Sequence, residues 1–305
     1  MNNKILISVV GPTAIGKTAL GIHIANYFDT EIISADSRQF FKEMNIGTAV
    51  PSPEELSAAK HHFIQQISIE DQYSVGDFEK EAISKLTELF LNHDVVVMVG
   101  GSGLYIKSVI EGLDNFPDIN PEIRKKLNKI LAKEGLQPLQ RKLQNLDPEY
   151  YANADIENPH RIIRALEICI GTGKKFSSFR NQKKSQRNFK TIEIGLTADR
   201  QIIYDRINQR VDLMMQAGLL EEAKNLYPKK HLNALNTVGY KELFSYLDNE
   251  IELDFAISEI KKNTRRFAKR QLTWFRKNDN IHWFDYKSKP EDINAFISEE
   301  IKKLH

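Results

Sequence analysis

The stretch Gly11-Pro12-Thr13-Ala14-Ile15-Gly16-Lys17-Thr18 constrains this chain more than any other. It matches G-x-x-x-x-G-K-[ST] and stands between an apolar run, Lys4 to Val10, and a helical pattern over Lys17 to Tyr27 with apolar positions Leu20, Ile24 and Tyr27. Gly11 and Gly16 let the backbone curl so that its N–H groups point inward. The following helix adds positive potential at its N-terminus, Lys17 supplies a point charge, and Thr18 offers a hydroxyl to Mg²⁺. Such a strand, loop and helix hold a diphosphate or triphosphate.

The rest of the pattern places this unit in an α/β fold. Val- and Ile-rich strands are expected at Glu31 to Ala35, Val95 to Val99 and Thr191 to Leu196, with a helix marked by Phe78, Ala82, Leu86, Leu89 and Phe90 before the third strand. Alternation of this kind indicates a parallel sheet covered on both faces. Residues 1–115 form the first part of this P-loop core. Residues 116–190, opened by Pro117 and Pro121, read as an inserted helical domain without strands. Residues 191–305 complete the core and continue as C-terminal helices, the first capped by Asp199 and stopped at Gly218. In the last long helix, Ile260, Thr264, Phe267, Gln271, Trp274 and Phe275 follow helical spacing, so the basic residues fall on its other faces. Trp274 and Phe275 read as core.

The longest apolar runs are strand-length, far short of the roughly 20 residues that cross a bilayer, and no signal-peptide pattern opens the chain. Cys169 is the only cysteine, which fits a reducing, cytoplasmic setting and a small buried apolar role. With 43 basic and 41 acidic residues, net charge alone indicates no polyanionic partner. The distribution does. No acid interrupts the interval that carries Lys174, Lys175, Arg180, Lys183, Lys184, Arg187 and Lys190, nor the one with Lys261, Lys262, Arg265, Arg266, Lys269, Arg270, Arg276 and Lys277. Two such segments favour a polyanion over a merely solvated face.

Asp36, at the carboxyl end of the second strand, stands where ligands of open parallel sheets bind. It suits a general base, with Ser37, Arg38 and Gln39 as polar neighbours; a plain helix cap would be an equally ordinary use of an Asp there. The strand at Val95 to Val99 runs into Gly100-Gly-Ser-Gly, without the acid that nucleoside triphosphatases place there to help hold Mg²⁺. That argues against ATP hydrolysis. A P-loop small-molecule or nucleotide kinase explains the loop and Asp36 but leaves the basic segments idle, whereas an RNA-binding nucleotide switch leaves Asp36 without a task.

Taken in order, GPTAIGKT (11–18), IISADSRQ (32–39), MNIGTA (44–49), VGGSGLY (99–105), NPHRIIRALEI (158–168), NTVGYKEL (236–243) and KRQLTWFR (269–276) resemble the tRNA dimethylallyltransferases across nearly the whole chain. The resemblance implies a P-loop core with a helical insertion that grips tRNA. It also implies transfer of a dimethylallyl group from dimethylallyl diphosphate to N6 of the adenosine 3′ of the anticodon, in the anticodon stem-loop, by an enzyme expected to act as a monomer. By matching motif, Asp36 is the base, Lys17 and Thr18 hold the diphosphate, Thr18 through Mg²⁺, and Arg210 is favoured over Arg206 as the diphosphate arginine. The tRNA contacts fall on Asp36, Ser37, Arg38, Gln39, Ser102, Arg124, and His160, Arg161, Ile162, Ile163 and Arg164. They continue through Asn236, Thr237, Val238, Gly239, Tyr240 and Lys241, then Lys269, Arg270, Gln271, Leu272, Thr273, Trp274, Phe275 and Arg276. Val50, where the family often has Lys, and Gln65, where it usually has Asp, depart from the pattern near the substrate region.

Overall fold

The computed structural model describes residues 4–180 and 186–304. The chain divides into two compact units, Met1–Ile110 with Arg187–His305, and Glu111–Gln186.

The first unit opens with β1 (Ile5–Val10), α1 (Lys17–Tyr27), β2 (Ile32–Ser34), α2 (Pro53–Ala58), β3 (His61–His62), α3 (Val75–Leu89), β4 (Val95–Val99) and α4 (Gly103–Glu111). The helical unit holds α5 (Pro121–Glu134), α6 (Gln137–Leu146), α7 (Pro148–Asn153) and α8 (Pro159–Thr172). The chain then completes the first unit with β5 (Lys190–Thr197), α9 (Arg200–Gln216), α10 (Leu219–Leu226), α11 (Tyr240–Leu247), α12 (Leu253–Phe275), β6 (Ile281–Asp285) and α13 (Pro290–Leu304).

All six strands form one parallel sheet in the order β3-β2-β4-β1-β5-β6, with Ile5 opposite Val95 on one side and Lys190 on the other. Side chains alternate across it. Ile5, Ile7 and Val9 pack with Leu20 and Ile24 of α1, Ile203 of α9 and Ile293 of α13. Leu6 and Val10 face Phe78, Ala82 and Leu86 of α3 and Ile106 of α4. With both faces covered, the central strands need continuous apolar sequence, which is why β1 and β4 are Val- and Ile-rich. A further apolar cluster joins the C-terminal helices through Leu219, Leu235, Tyr240, Leu243 and Ile260 to Phe41 and Met44.

The helical unit shows how its sequence punctuates helices. Asn120-Pro121, Asp147-Pro148 and Asn158-Pro159 each set a capping side chain before a proline at the first helical position, where its missing N–H is no loss. Asp147, fully buried, also accepts from the Ser177 amide at 2.7 Å and its hydroxyl at 3.0 Å. Cys169 is buried among the apolar residues of this unit.

Several expectations are corrected. The chain beyond Asp199 is mostly helical, as expected, but Ile281–Asp285 adds an edge strand to β5 that the sequence did not indicate. With one neighbour and a half-exposed face, it carries His282 and Asp285 and lacks the apolar run of a central strand. Tyr27, in the last turn of α1, is exposed. Asp199 does stand at the N-cap of α9, though without a side-chain cap bond, and Gly218 (φ 102°) does follow the end of that helix, where it also opens α10.

The acid-free intervals also prove to be less free of acids in space than in sequence. Arg187 Nη2 lies 2.5 Å from Glu79 Oε1 and donates to Ser108 O, and Lys190 donates to Leu304 O. Lys261 pairs with Asp212, Lys262 with Glu259, and Arg265 donates to Asn208 Oδ1. Arg266, Lys269, Arg270, Arg276 and Lys277 remain exposed. Lys183 and Lys184 lie outside the described residues.

Candidate active site

The P-loop leaves β1 at the middle of the sheet. Gly11 (φ 146°) passes so close to β5 that a Cβ would stand 2.6 Å from Leu196 O, and Gly16 (φ 110°) turns the chain into α1. Those conformations and that approach suit glycine alone. The loop is braced from the far end of the chain. Gln271 of α12, buried, accepts from the Thr13 amide at 2.9 Å and donates to Gly101 O at 3.0 Å, so one side chain ties the P-loop to the glycine turn after β4. Arg206 donates to Ala14 O at 2.7 Å and lies over the Tyr286 ring.

Two cavities open at the carboxyl ends of the strands. The first, of about 480 Å³, is lined by the P-loop from Thr13 to Thr18, by Ser34, Asp36 and Glu55, and by the apolar side chains of Ile46, Val50, Leu213 and Met214. The second, of about 610 Å³, is lined by Asp36, Arg38, Ser102, Tyr105, residues 236–239, Lys241, Phe267, Arg270 and Trp274. Thr13, Asp36, Thr48, Ala49, Arg210 and Met214 line both. Asp36 and Arg210 therefore stand where a pocket built to bind an anion meets a more apolar one.

Charge is packed tightly at that junction. Lys17 Nζ donates to Pro12 O at 2.8 Å, and burial pushes its pKa down to about 8, with Arg210 reinforcing the shift and Asp36 opposing it. Burial pushes the Asp36 carboxyl above the ordinary aspartate range, against the pull of the Arg38 amide, Lys17, Arg38 and Arg210. A raised carboxyl is a better proton acceptor than an ordinary one once ionised. Asp36 caps no helix. Its Oδ1 accepts from the Arg38 amide at 3.2 Å within a turn, which aims the other oxygen's capacity elsewhere.

The neighbouring motif residues divide by burial. Ser37 is held by Ser102, whose Oγ accepts from the Ser37 amide at 3.0 Å; Arg38 donates to Ala234 O at 2.8 Å; Gln39 donates to Ala49 O at 2.8 Å. Tyr240, Gln271 and Phe275 are buried, as are Ile162 and Ile163 of the helical unit, although Gln271 and Phe275 still reach the lining of the second cavity. Trp274, expected in the core, is instead 42% exposed and lines the second cavity with Phe267, also exposed; Gly103 must lack a Cβ, which would fall 2.2 Å from Trp274 Nε1. Leu272 packs against the core, whereas Lys269, Arg270, Thr273 and Arg276 face solvent. Arg210 approaches Thr13 Oγ1 at 3.5 Å and lines both cavities, whereas Arg206 is committed to Ala14 and Tyr286.

In the helical unit Arg124 and Arg164 converge on Glu167, at 3.7 and 2.9 Å, with His160 and Arg161 exposed beside them. Val50 lines the first cavity, while Gln65 turns its side chain to Lys42 O. The shared wall of Thr48 and Ala49 carried no local signal beyond the glycine of its motif.

Fold and site define an α/β protein with a P-loop motif and two adjoining cavities at the carboxyl ends of its strands. A family profile described as IPP transferase matches residues 39–278. The tRNA dimethylallyltransferase of Christiangramia forsetii is 68% identical over 97% of this chain and 98% of its own, and that of Flavobacterium johnsoniae is 59% identical over 98% and 99%. Among solved structures, a tRNA isopentenylpyrophosphate transferase from Bacillus halodurans superposes with TM-score 0.74 at 38% identity, covering 99% of each chain. A eukaryotic dimethylallyltransferase captured acting on tRNA gives TM-score 0.79 at 25% identity, covering 93% of this chain and 74% of that one. The chain belongs to the tRNA dimethylallyltransferase family.

Proposed function

We propose that the protein transfers a dimethylallyl group from dimethylallyl diphosphate to N6 of the adenosine 3′ of the anticodon in tRNA, releasing diphosphate. The observation that carries this reading is the junction at Asp36 and Arg210, with a phosphate loop on one side and an open cavity rimmed by Arg38, Lys241, Arg270 and Trp274 on the other. The donor's diphosphate lies on the P-loop amides, Lys17 and Arg210, with its short hydrocarbon tail toward Ile46, Val50 and Met214. The adenine, extruded from its loop where unstacking costs least, enters the second cavity.

The amine nitrogen attacks the allylic carbon, the carbon–oxygen bond breaks, and its electron pair leaves with the diphosphate. Asp36 orients the amine and takes its proton. Lys17, Arg210 and the loop N–H groups oppose the charge building on the leaving group. Thr18, beside Ser34, Asp36 and Glu55, gives the first cavity hard oxygen donors suited to Mg²⁺, with the Thr18 hydroxyl as the ligand. The ion, when bound, adds charge stabilisation at the diphosphate. Exposed Lys269, Arg270 and Arg276, with His160, Arg161 and Arg124, supply phosphate contacts.

We assign the enzyme to the cytoplasm, acting as a monomer. Among the described residues no helix is long and apolar enough to cross a membrane. The test is incubation with labelled dimethylallyl diphosphate or ATP, each with and without unmodified tRNA. Label should reach tRNA from the prenyl donor alone; tRNA-independent ATP turnover without prenyl transfer would overturn the reading in favour of a kinase.

A further inference from the structure

Glu222 lines neither cavity, yet it holds the wall they share. Its Oε2 accepts from the amides of Asn45 and Ile46 at 3.1 and 2.8 Å, and its Oε1 from the Gly47 amide at 2.9 Å and the Tyr240 hydroxyl at 2.6 Å. A single carboxylate thus gathers three successive N–H groups at the start of the short helical turn Ile46–Thr48, where negative charge is favoured. Gly47 is pressed against Tyr240, since a Cβ there would meet its ring at 2.6 Å. From this anchor the chain runs into Thr48 and Ala49, which line both cavities, with Ala49 in the left-handed region at φ 52°. Gln39 then donates to the carbonyls of Thr48 and Ala49 at 3.2 and 2.8 Å, and its own amide donates to Asp36 O at 3.0 Å. The chain of bonds is continuous from Glu222 on α10, through the 45–49 wall and Gln39, to the turn that carries Asp36.

We infer that Glu222 is a positioning residue for prenyl transfer, fixing the wall between donor and acceptor cavities and, through Gln39, the placement of Asp36. The inference rests on the transferase reading above. Glu222→Gln keeps the shape but replaces one acceptor oxygen with an NH₂ that faces donors, so two of the four bonds disappear and the wall loosens. A displacement of about 1 Å at a reacting centre costs up to about 100-fold in rate. Single-turnover transfer at saturating donor and tRNA should therefore fall 10- to 100-fold, while tRNA affinity stays within about twofold.

Hydrogen exchange of the 44–50 peptide in the unliganded variant should accelerate with the β1 and β4 peptides unchanged. Tyr240→Phe, which removes a single bond, should show both effects in smaller measure and serves if Glu222→Gln does not fold. Wild-type rate and exchange in the variants would overturn the inference, as would a loss of rate matched by accelerated exchange throughout the core. Failure of the wild-type enzyme to transfer would instead strike the functional reading, and the local exchange result would still decide whether Glu222 holds the wall.

Discussion

Asp36→Asn separates catalysis from stability in one variant. Asn keeps the side-chain oxygen that accepts from the Arg38 amide, so the turn and the walls of both cavities should persist. What it lacks is the proton acceptor. General-base catalysis contributes about 10²–10⁴-fold, which corresponds to about 3–5 kcal/mol of barrier at 1.36 kcal/mol per decade. The stability effect has the opposite sign. Because burial holds the Asp36 carboxyl above its ordinary value, the folded chain binds more protons than the unfolded one between those two values. Its contribution is then fully present below the unfolded value and is lost as pH rises through the folded value, so the group strains the fold wherever it is ionised. Asn removes that charge. Single-turnover transfer at saturating substrates should fall by 10²–10⁴-fold, with tRNA affinity retained and Tm at pH 7.5 equal to or above wild type. Near-normal transfer would refute the assignment of the base, and a lowered Tm would refute the account of the buried charge.

Other expectations follow from the same geometry. Lys17 is pushed down to about 8, so donor kcat/KM should decline above that pH by up to tenfold per unit as the charge opposing the diphosphate is lost. Stability should move the other way over the same range, because the unfolded chain then binds the extra proton, and a flat profile from pH 7 to 9.5 would refute this. Gly100→Ala places a methyl 2.3 Å from Ala35 O, next to Asp36, and should cost about 1–3 kcal/mol with a depressed transfer rate, checked by denaturant melts and single-turnover assay. Arg266→Gln combined with Lys269→Gln should lower the slope of log tRNA affinity against log salt by about 0.7–0.9 for each phosphate that is no longer neutralised, and an unchanged slope would return that face to plain solvation.

The parts of the site read from sequence are those written locally. The P-loop announces itself within 11–18, and the apolar runs of β1 and β4 predict central strands because burial on both faces favours apolar residues at successive positions, Ser8 being the polar exception in β1. Asp36 followed from its place at a strand end. Gln271 and Glu222 were illegible as organisers, since their partners Thr13 and residues 45–47 lie far away in sequence and nothing periodic marks the pairing. The basic intervals misled in part for the same reason: Asp212 and Glu79, which answer Lys261 and Arg187, belong to other elements. Trp274 shares helical spacing with Phe275 and both line the second cavity, yet only Trp274 is exposed, a difference that spacing does not encode.

The bond from the Thr13 amide to Gln271 spans 258 residues, which sets a timetable for biosynthesis. The ribosome delivers the phosphate loop first and its brace last. At roughly 5–20 residues per second, on the order of 10–50 s separate the two. During that interval the loop can curl and the neighbouring strands can pair, but the side chain that holds Thr13 and Gly101 together does not yet exist. A chain interrupted before α12 carries the phosphate loop and its bond from Arg206 but lacks the bridge from Thr13 to Gly101. The bridge across the mouth of the phosphate loop is therefore among the last contacts of the site to form, when α12 docks.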